Sequence, residues 1–303
     1  MATLERHDIG NYYRQYKSLL FAVAYRMLGT VSDAEDAVQD AFVALQRRGA
    51  ESLAEVESPK AYLLRTVTNH CLNTLQSARR KREMYVGEWL PEPLADTGQS
   101  DPAEAVVQGE AVAYAFLVLL QQLNPVERAV FVLREAANYE YGEIAALLGK
   151  SEANCRQIFS RVSRKMQAER PAPPPSAEAG EQLARAFIRA AHSGDFAAFA
   201  GVLRDDAQLV SDGGGKVRAA INPIRSGERV RAFLQGVAAK GSWRGELLVC
   251  RVNGEWGVVH SRDGAVIRIV TFAWGAGGDV RSVYLMQNPD KLAFVQLLQT
   301  QTD

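Results

Sequence analysis

Two stretches of this 303-residue chain concentrate positive charge. Arg79, Arg80, Lys81 and Arg82 are consecutive, and from Lys150 to Arg170 six basic residues outnumber two acidic ones. Guanidinium and ammonium groups at that density suit phosphate. Carboxylates gather as well, with Asp33, Glu35, Asp36 and Asp40 close together. Such a cluster suits either the positive end of a helix or a basic partner. Asp212-Gly213-Gly214-Gly215-Lys216 has glycines ahead of a lysine, as a phosphate cradle requires, but it lacks the full P-loop spacing and reads more readily as a tight turn. His260, Asp212, Asp263 and Tyr284 are candidate general acids or bases, yet no spacing pairs them, so no catalytic residue is assigned.

Lys plus Arg and Asp plus Glu both number 35, so the whole molecule exerts no net pull on nucleic acid. Any DNA contact must come from the local patches. Cys71, Cys155 and Cys250 stand far apart without CxxC or Cys/His spacing, so neither a metal site nor a disulfide framework is expected. No cofactor is expected either. The N-terminal residues lack a signal pattern, and no window approaches the roughly 18 apolar residues of a membrane span. The expectation is a soluble cytoplasmic protein, monomeric when free, that makes no membrane contact.

The elements that must position these groups change character along the chain. Ser32-Asp33-Ala34-Glu35 fits a capping box, so a helix should begin there. Ala34, Ala37, Val38, Ala41, Phe42 and Leu45 then form a buried stripe opposite an acidic face. A second helix should run from Pro59 into Arg82, exposing Asn69, His70, Asn73 and Gln76 before its basic end. Those cations suit the helix C-terminus as well as they suit DNA. Val86 to Pro102 accumulates Gly, Pro and Asp and reads as a linker.

Asn124-Pro125-Val126-Glu127 then gives an N-cap, a proline at the first helical position and a glutamate at the third. Tyr141 to Leu148 is a short helix stopped by Gly149, and Ser151 caps a third helix through Met166. The three make a helix-turn-helix or, more blandly, a charged helical hairpin. In the last helix Ile158, Phe159, Val162 and Met166 should pack, leaving Asn154, Arg156, Gln157, Arg161 and Arg164 outward with chemistry suited to base edges and phosphates. Pro171 and Pro173 to Pro175 form a stiff break. Beyond it come helices around Glu178 to Val202. Valine-rich strands follow at Gln208–Val210, Glu246–Val252, Trp256–Ser261, Val266–Phe272 and Val280–Met286, with a helix at Gly227–Val237. Asn253-Gly254, Asp263-Gly264 and Gly277-Gly278 mark turns.

The run Asp33 to Phe42 resembles the core-binding signature of sigma factor region 2. Leu123 to Arg128, Tyr141 to Ala145 and Gly149 to Gln157 resemble region 4 of the extracytoplasmic-function (ECF) branch of the sigma-70 family. The resemblance implies an RNA polymerase sigma factor, not an enzyme, whose partners are core polymerase and promoter DNA. Asp33, Glu35, Asp36, Gln39 and Asp40 would dock on the clamp helices of the β′ subunit, with region 4 on the β flap. The loop Gly49 to Ser58 and Asn69, Asn73, Arg79, Arg80 and Arg82 would engage the −10 element, capturing an unstacked base. Ser151, Asn154, Arg156, Gln157, Arg161 and Arg164 would enter the −35 major groove, while Ile158 departs from the basic residue many relatives carry. The linker would thread near the RNA exit path.

Residues Glu178 to Thr300 resemble the SnoaL-like, nuclear-transport-factor-like cone, an α+β fold with a curved antiparallel sheet. Asp212, Gly213, Gly214, Gly215 and Lys216, with Asn288, Pro289, Asp290, Lys291 and Leu292, resemble motifs of the sigma group whose C-terminal extension regulates the sigma core in place of a separate anti-sigma protein. These ten residues are the expected regulatory contact with the sigma domains or the linker. The expected organisation is region 2 (1–85), linker (86–110), region 4 (111–168), proline-rich linker (169–177) and cone (178–303). The competing readings are a SnoaL-like enzyme or ligand sensor with a DNA-targeting helical module, and a plain transcriptional regulator that does not bind polymerase.

Overall fold

The computed structural model describes residues 9–47, 58–83, 85–96, 112–176, 178–293 and 295. They fall into two compact units: residues 1–83 with 119–169, and residues 84–118 with 170–303. The region 2 loop expected at Gly49 to Ser58 lies outside the described residues except for Ser58.

The first unit is helical: α1 (Ile9–Leu28), α2 (Val31–Arg47), α3 (Pro59–Glu83), α5 (Pro125–Ala136), α6 (Tyr141–Leu148) and α7 (Glu152–Glu169), with α4 (Tyr114–Gln121) entering it at its C-terminal end. The α2 stripe is buried as its spacing requires. The helix starts one residue before the expected capping box. There the Thr30 hydroxyl donates to Asp33 Oδ2 at 2.5 Å, so the threonine and not Ser32 engages the first-turn carboxylate. In α1 every residue from Leu20 to Leu28 is buried, because α2, α3 and α5 all pack against it. The capping box at Asn124 is formed in full, with Glu127 N–H donating to Asn124 Oδ1 at 2.9 Å and Asn124 N–H donating to Glu127 Oε2 at 3.2 Å. Gly149 closes α6 in the left-handed conformation (φ 62°), and Ser151 Oγ accepts from Asn154 N–H at the start of α7.

Arg128, 2% exposed, is the largest fully buried side chain described. Its guanidinium donates to the carbonyls of Met27 (2.5 Å), Gln121 (3.0 Å) and Leu123 (3.1 Å) and to Gln121 Oε1 (2.7 Å). One side chain thereby satisfies carbonyls freed at the ends of α1 and α4.

The second unit is a seven-stranded sheet in the order β1-β4-β5-β6-β7-β2-β3, not closed into a barrel. Its strands are β1 (Ala95–Asp96), β2 (Leu203–Asp212), β3 (Ile224–Arg225), β4 (Glu246–Val252), β5 (Glu255–Arg262), β6 (Ala265–Trp274) and β7 (Val280–Met286). The wholly antiparallel sheet expected from sequence is in fact mixed. β2 pairs parallel to β7, because the chain returns to β2's edge only after the intervening helix and β4 to β7 have been laid down. Asn253-Gly254 and Asp263-Gly264 turn with both residues at positive φ, the geometry that matches strand twist in two-residue hairpins.

Helices α8 (Ala179–Ser193), α9 (Ala197–Ala200) and α10 (Gly227–Ala239) cover one face of the sheet, meeting Val258, Val270, Phe272, Val283 and Leu285. The opposite face, with Val210, Val259, Ile269, Ala273, Tyr284 and Met286, is covered by Leu90, Tyr114, Ala115 and Leu292. The second layer of this domain therefore draws on Leu292 of the expected cone, on Tyr114 and Ala115, expected in region 4, and on Leu90, from residues expected to be a linker. The expected linker also supplies β1, an edge strand paired to β4.

Candidate nucleic-acid interface and linker clamp

On α2, burying the apolar stripe leaves Glu35, Asp36, Gln39 and Asp40 exposed on the other side. Asp33 is half-buried and turned to Thr30, so it contributes less to that face than the spacing suggested. Asp40 lies 3.3 Å from His70 of α3, which joins the acidic face to the helix bearing exposed Asn69 and Asn73. The helix continues through Arg79, Arg80 and Arg82, whose side chains lie outside the described residues.

On α7 the buried positions are Cys155, Val162 and Met166. Ile158 and Phe159, expected in the packed stripe, are half-buried. Phe159 instead sits beside Phe131 and Tyr141, with ring centres 5.9 and 5.8 Å apart. The stripe begins at Cys155 because Phe159 fills the space between α5 and α6. Ser151, Asn154, Arg156, Gln157, Arg161 and Arg164 all remain exposed. Arg156 reaches Glu152 Oε1 at 2.5 Å and lies over the Tyr141 ring at 4.9 Å, while Arg161 pairs with Glu127 at 2.7 Å. Exposed ion pairs of this kind are weak. They hold the guanidiniums extended and can be exchanged for phosphate.

The two C-terminal motifs meet, and what they hold is the segment after α3. Asp212, with a fully buried side chain, stands at the end of β2. Its Oδ1 accepts from the Tyr85 hydroxyl (2.5 Å) and from Gly214 N–H (2.9 Å). Its Oδ2 accepts from Leu90 N–H (2.9 Å) and from Lys291 Nζ (2.7 Å). Lys291, in α11 (Pro289–Leu292), also donates to the Leu90 carbonyl at 2.6 Å and lies 3.9 Å from the centre of the Trp89 ring. Asn288 Nδ2 donates to the Tyr85 hydroxyl at 2.8 Å. Burial, with the Asp212 carboxylate beside it, pushes the Tyr85 phenol above its ordinary range, so it stays a donor. The glycines have a steric role: a Cβ on Gly214 (φ 61°) would lie 2.5 Å from the Asn288 amide. Lys216 makes an exposed pair with Asp290 at 2.7 Å.

Sequence reasoning assigned the two motifs but missed Tyr85, Trp89 and Leu90. The available signal was Trp89-Leu90-Pro91, a large aromatic and an aliphatic residue in a segment otherwise rich in Gly, Pro and Asp. The acid–base candidates are not brought together. Asp212 faces the linker, Asp263 lies in an exposed turn, Tyr284 is on the linker-covered face, and His260 is among the residues facing the helices. His260 Nε2 lies 2.9 Å from the Arg244 carbonyl, and burial with Arg268 and Arg262 nearby holds its pKa down to about 4. No described helix is long and apolar enough to cross a membrane.

Family models for sigma-70 region 2 and sigma-70 region 4 match residues 12–81 and 114–166. The ECF RNA polymerase sigma factor SigJ of Mycobacterium tuberculosis is 34% identical over 287 residues, spanning 90% of this chain and 89% of its own. The probable ECF sigma factor SigI of the same species is 32% identical, over 63% of this chain and 66% of its own. The crystal structure of M. tuberculosis SigJ superposes with a TM-score of 0.74 at 28% identity, covering 94% of this chain and 98% of that one.

Proposed function

The chain belongs to the ECF branch of the sigma-70 family, the RNA polymerase sigma factors, and from that premise we propose how its parts divide the work. Glu35, Asp36, Gln39 and Asp40 of α2, with Asp33 at its start, dock on the β′ clamp helices, while the helix-turn-helix meets the β flap. Asn69, Asn73 and the basic end of α3 engage the −10 element. Helix α7 enters the −35 major groove through Ser151, Asn154, Arg156, Gln157, Arg161 and Arg164. Exposure of Glu35, Asp36, Gln39, Asp40, Asn69, Asn73 and the six residues of α7 and its cap supports these roles, and the family supports them all. The division into region 2, linker, region 4, proline-rich linker and cone follows the same assignment.

The cone regulates by holding the chain that joins region 2 to region 4. The observation that carries this reading is the buried Asp212–Lys291 pair, with both members bonded to the backbone of Leu90. A segment held in this way cannot also thread through polymerase, so the clamp competes with holoenzyme formation. Because the sigma relatives are initiation factors, the cone acts here by binding and not as an enzyme.

In vitro transcription with core polymerase tests this, comparing the full chain, a chain ending at Glu169, and Lys291→Met. Promoter-specific transcript from any form supports the sigma roles, and more transcript from Lys291→Met than from the full chain supports the clamp. Transcript that is equal across all three forms would sink the regulatory reading.

A further inference from the structure

Three elements of the helix-turn-helix meet at Tyr141, the first residue of α6. The guanidinium carbons of Arg134, from α5, and of Arg156, from α7, each lie 4.9 Å from the centre of its ring. The ring is itself held in place, because Phe159 meets it edge-on at 5.8 Å and is stacked in turn at 5.9 Å on the buried Phe131. Arg134 is fixed as well, donating to the Tyr139 carbonyl at 2.7 Å and pairing with Glu140 at 3.0 Å. Glu140 and Glu152 balance two cations that would otherwise repel beside one ring.

Arg156 is the member of this group that must reach DNA, and its side chain is 62% exposed. A long exposed side chain loses rotamer freedom when it binds, so whatever orients it beforehand raises affinity. Two contacts orient it, and they differ. Glu152 Oε1 accepts from Arg156 Nε at 3.2 Å and from Nη2 at 2.5 Å, which occupies N–H groups that a phosphate or a guanine edge would take, so this pair gives way in the complex. The ring contact uses no N–H donor and persists there. We propose that Tyr141 is a positioning residue for promoter recognition: its ring sets the Arg156 guanidinium at the head of α7 while the N–H groups pass from Glu152 to DNA. The inference rests on α7 entering the −35 major groove through Arg156.

A double-mutant cycle on promoter affinity tests it, with holoenzyme reconstituted from the full chain and core polymerase on a genomic promoter that the wild-type holoenzyme transcribes. Tyr141→Leu and Arg156→Ala should each weaken binding, the first about twofold to tenfold, the range of one cation–π contact. In the Arg156→Ala background Tyr141→Leu should have almost no further effect, whereas a folding defect would weaken both backgrounds alike. Tyr141→Phe keeps the ring and should restore binding to within about twofold of wild type. Glu152→Gln, which leaves the ring and its packing untouched, should bind at least as tightly as wild type. Equal loss from Tyr141→Leu in both backgrounds, a Tyr141→Phe as weak as Tyr141→Leu, or a Glu152→Gln as weak as Arg156→Ala would each overturn the positioning role while leaving α7 in its groove. Undiminished affinity in Arg156→Ala would instead overturn the reading of α7 at that residue, and this inference with it.

Discussion

Replacing Lys291 with methionine keeps most of its volume and removes the charge that Asp212 faces. In the folded protein Lys291 is 6% exposed and Asp212 fully buried, so the substitution would leave a carboxylate in a dry site with only the Tyr85 hydroxyl and the Leu90 and Gly214 amides as donors. Breaking one member of such a pair costs about 3–5 kcal/mol. The lysine also contributes a charge-assisted bond to the Leu90 carbonyl and a cation–π contact with Trp89, so much of the loss falls on the linker. At about 1.4 kcal/mol per decade, a loss of 3 kcal/mol multiplies the open population of residues 85–95 roughly a hundredfold. Amide hydrogen exchange reads this directly, because the Leu90 N–H is the bond made to Asp212. Lys216→Met is the matched control. It also removes a lysine paired to an aspartate at 2.7 Å, but both side chains are more than half exposed, and such pairs contribute less than about 1 kcal/mol. Linker protection that is unchanged in Lys291→Met, or lost equally in Lys216→Met, would refute the argument that burial makes the clamp.

Arg128→Met should destabilise the helical unit by at least about 2 kcal/mol, since two buried and two part-buried acceptors lose their donor. All four tryptophans (Trp89, Trp243, Trp256 and Trp274) lie in the other unit, so the loss should show in urea unfolding followed by circular dichroism at 222 nm more than by tryptophan fluorescence. Two groups give opposite pH dependence. His260, held at about 4 against an ordinary 6.5, contributes stability present above pH 6.5 and lost as pH falls from there toward 4. Glu255, raised by burial to about 7 from 4.5, contributes stability that is lost as pH rises from 4.5 toward 7. Glu255→Gln should therefore gain on wild type above neutrality, and His260→Gln should lose less than wild type on acidification. Thermal midpoints across pH 4.5 to 8 check both, and a common sign for the two would be wrong. Arg161→Ala should weaken holoenzyme binding to promoters of any sequence and lower the slope of log affinity against log salt by about 1; a loss confined to one promoter sequence would mark a base contact instead.

Local patterns carried much of this structure. Asn124-Pro125-Val126-Glu127 can be read as a helix start because every partner lies within three residues, and the folded chain forms each bond. The α2 stripe, the two glycine hairpins and the five long strands are legible for the same reason, since their periodicity states which face is buried. The reading slipped where two local solutions compete. Thr30 and Ser32 can both serve the start of α2, and Phe159 can either join the α7 stripe or fill the gap beside Tyr141. The parallel β2–β7 pair was illegible because nothing within a strand specifies which distant edge it will join.

The clamp shows the same limit in its functional form. Tyr85 and Asp212 are 127 residues apart, Leu90 and Asp212 122, and Lys291 and Leu90 201. A Gly- and Pro-rich segment reads as a linker because it has no period of its own. It is ordered because a carboxylate and an ammonium from two other motifs bind its backbone. Backbone recognition leaves little mark in sequence, since a Leu90 N–H and C=O would serve with almost any side chain; the adjacent Trp89, which stacks under the lysine, is the residue that betrays it.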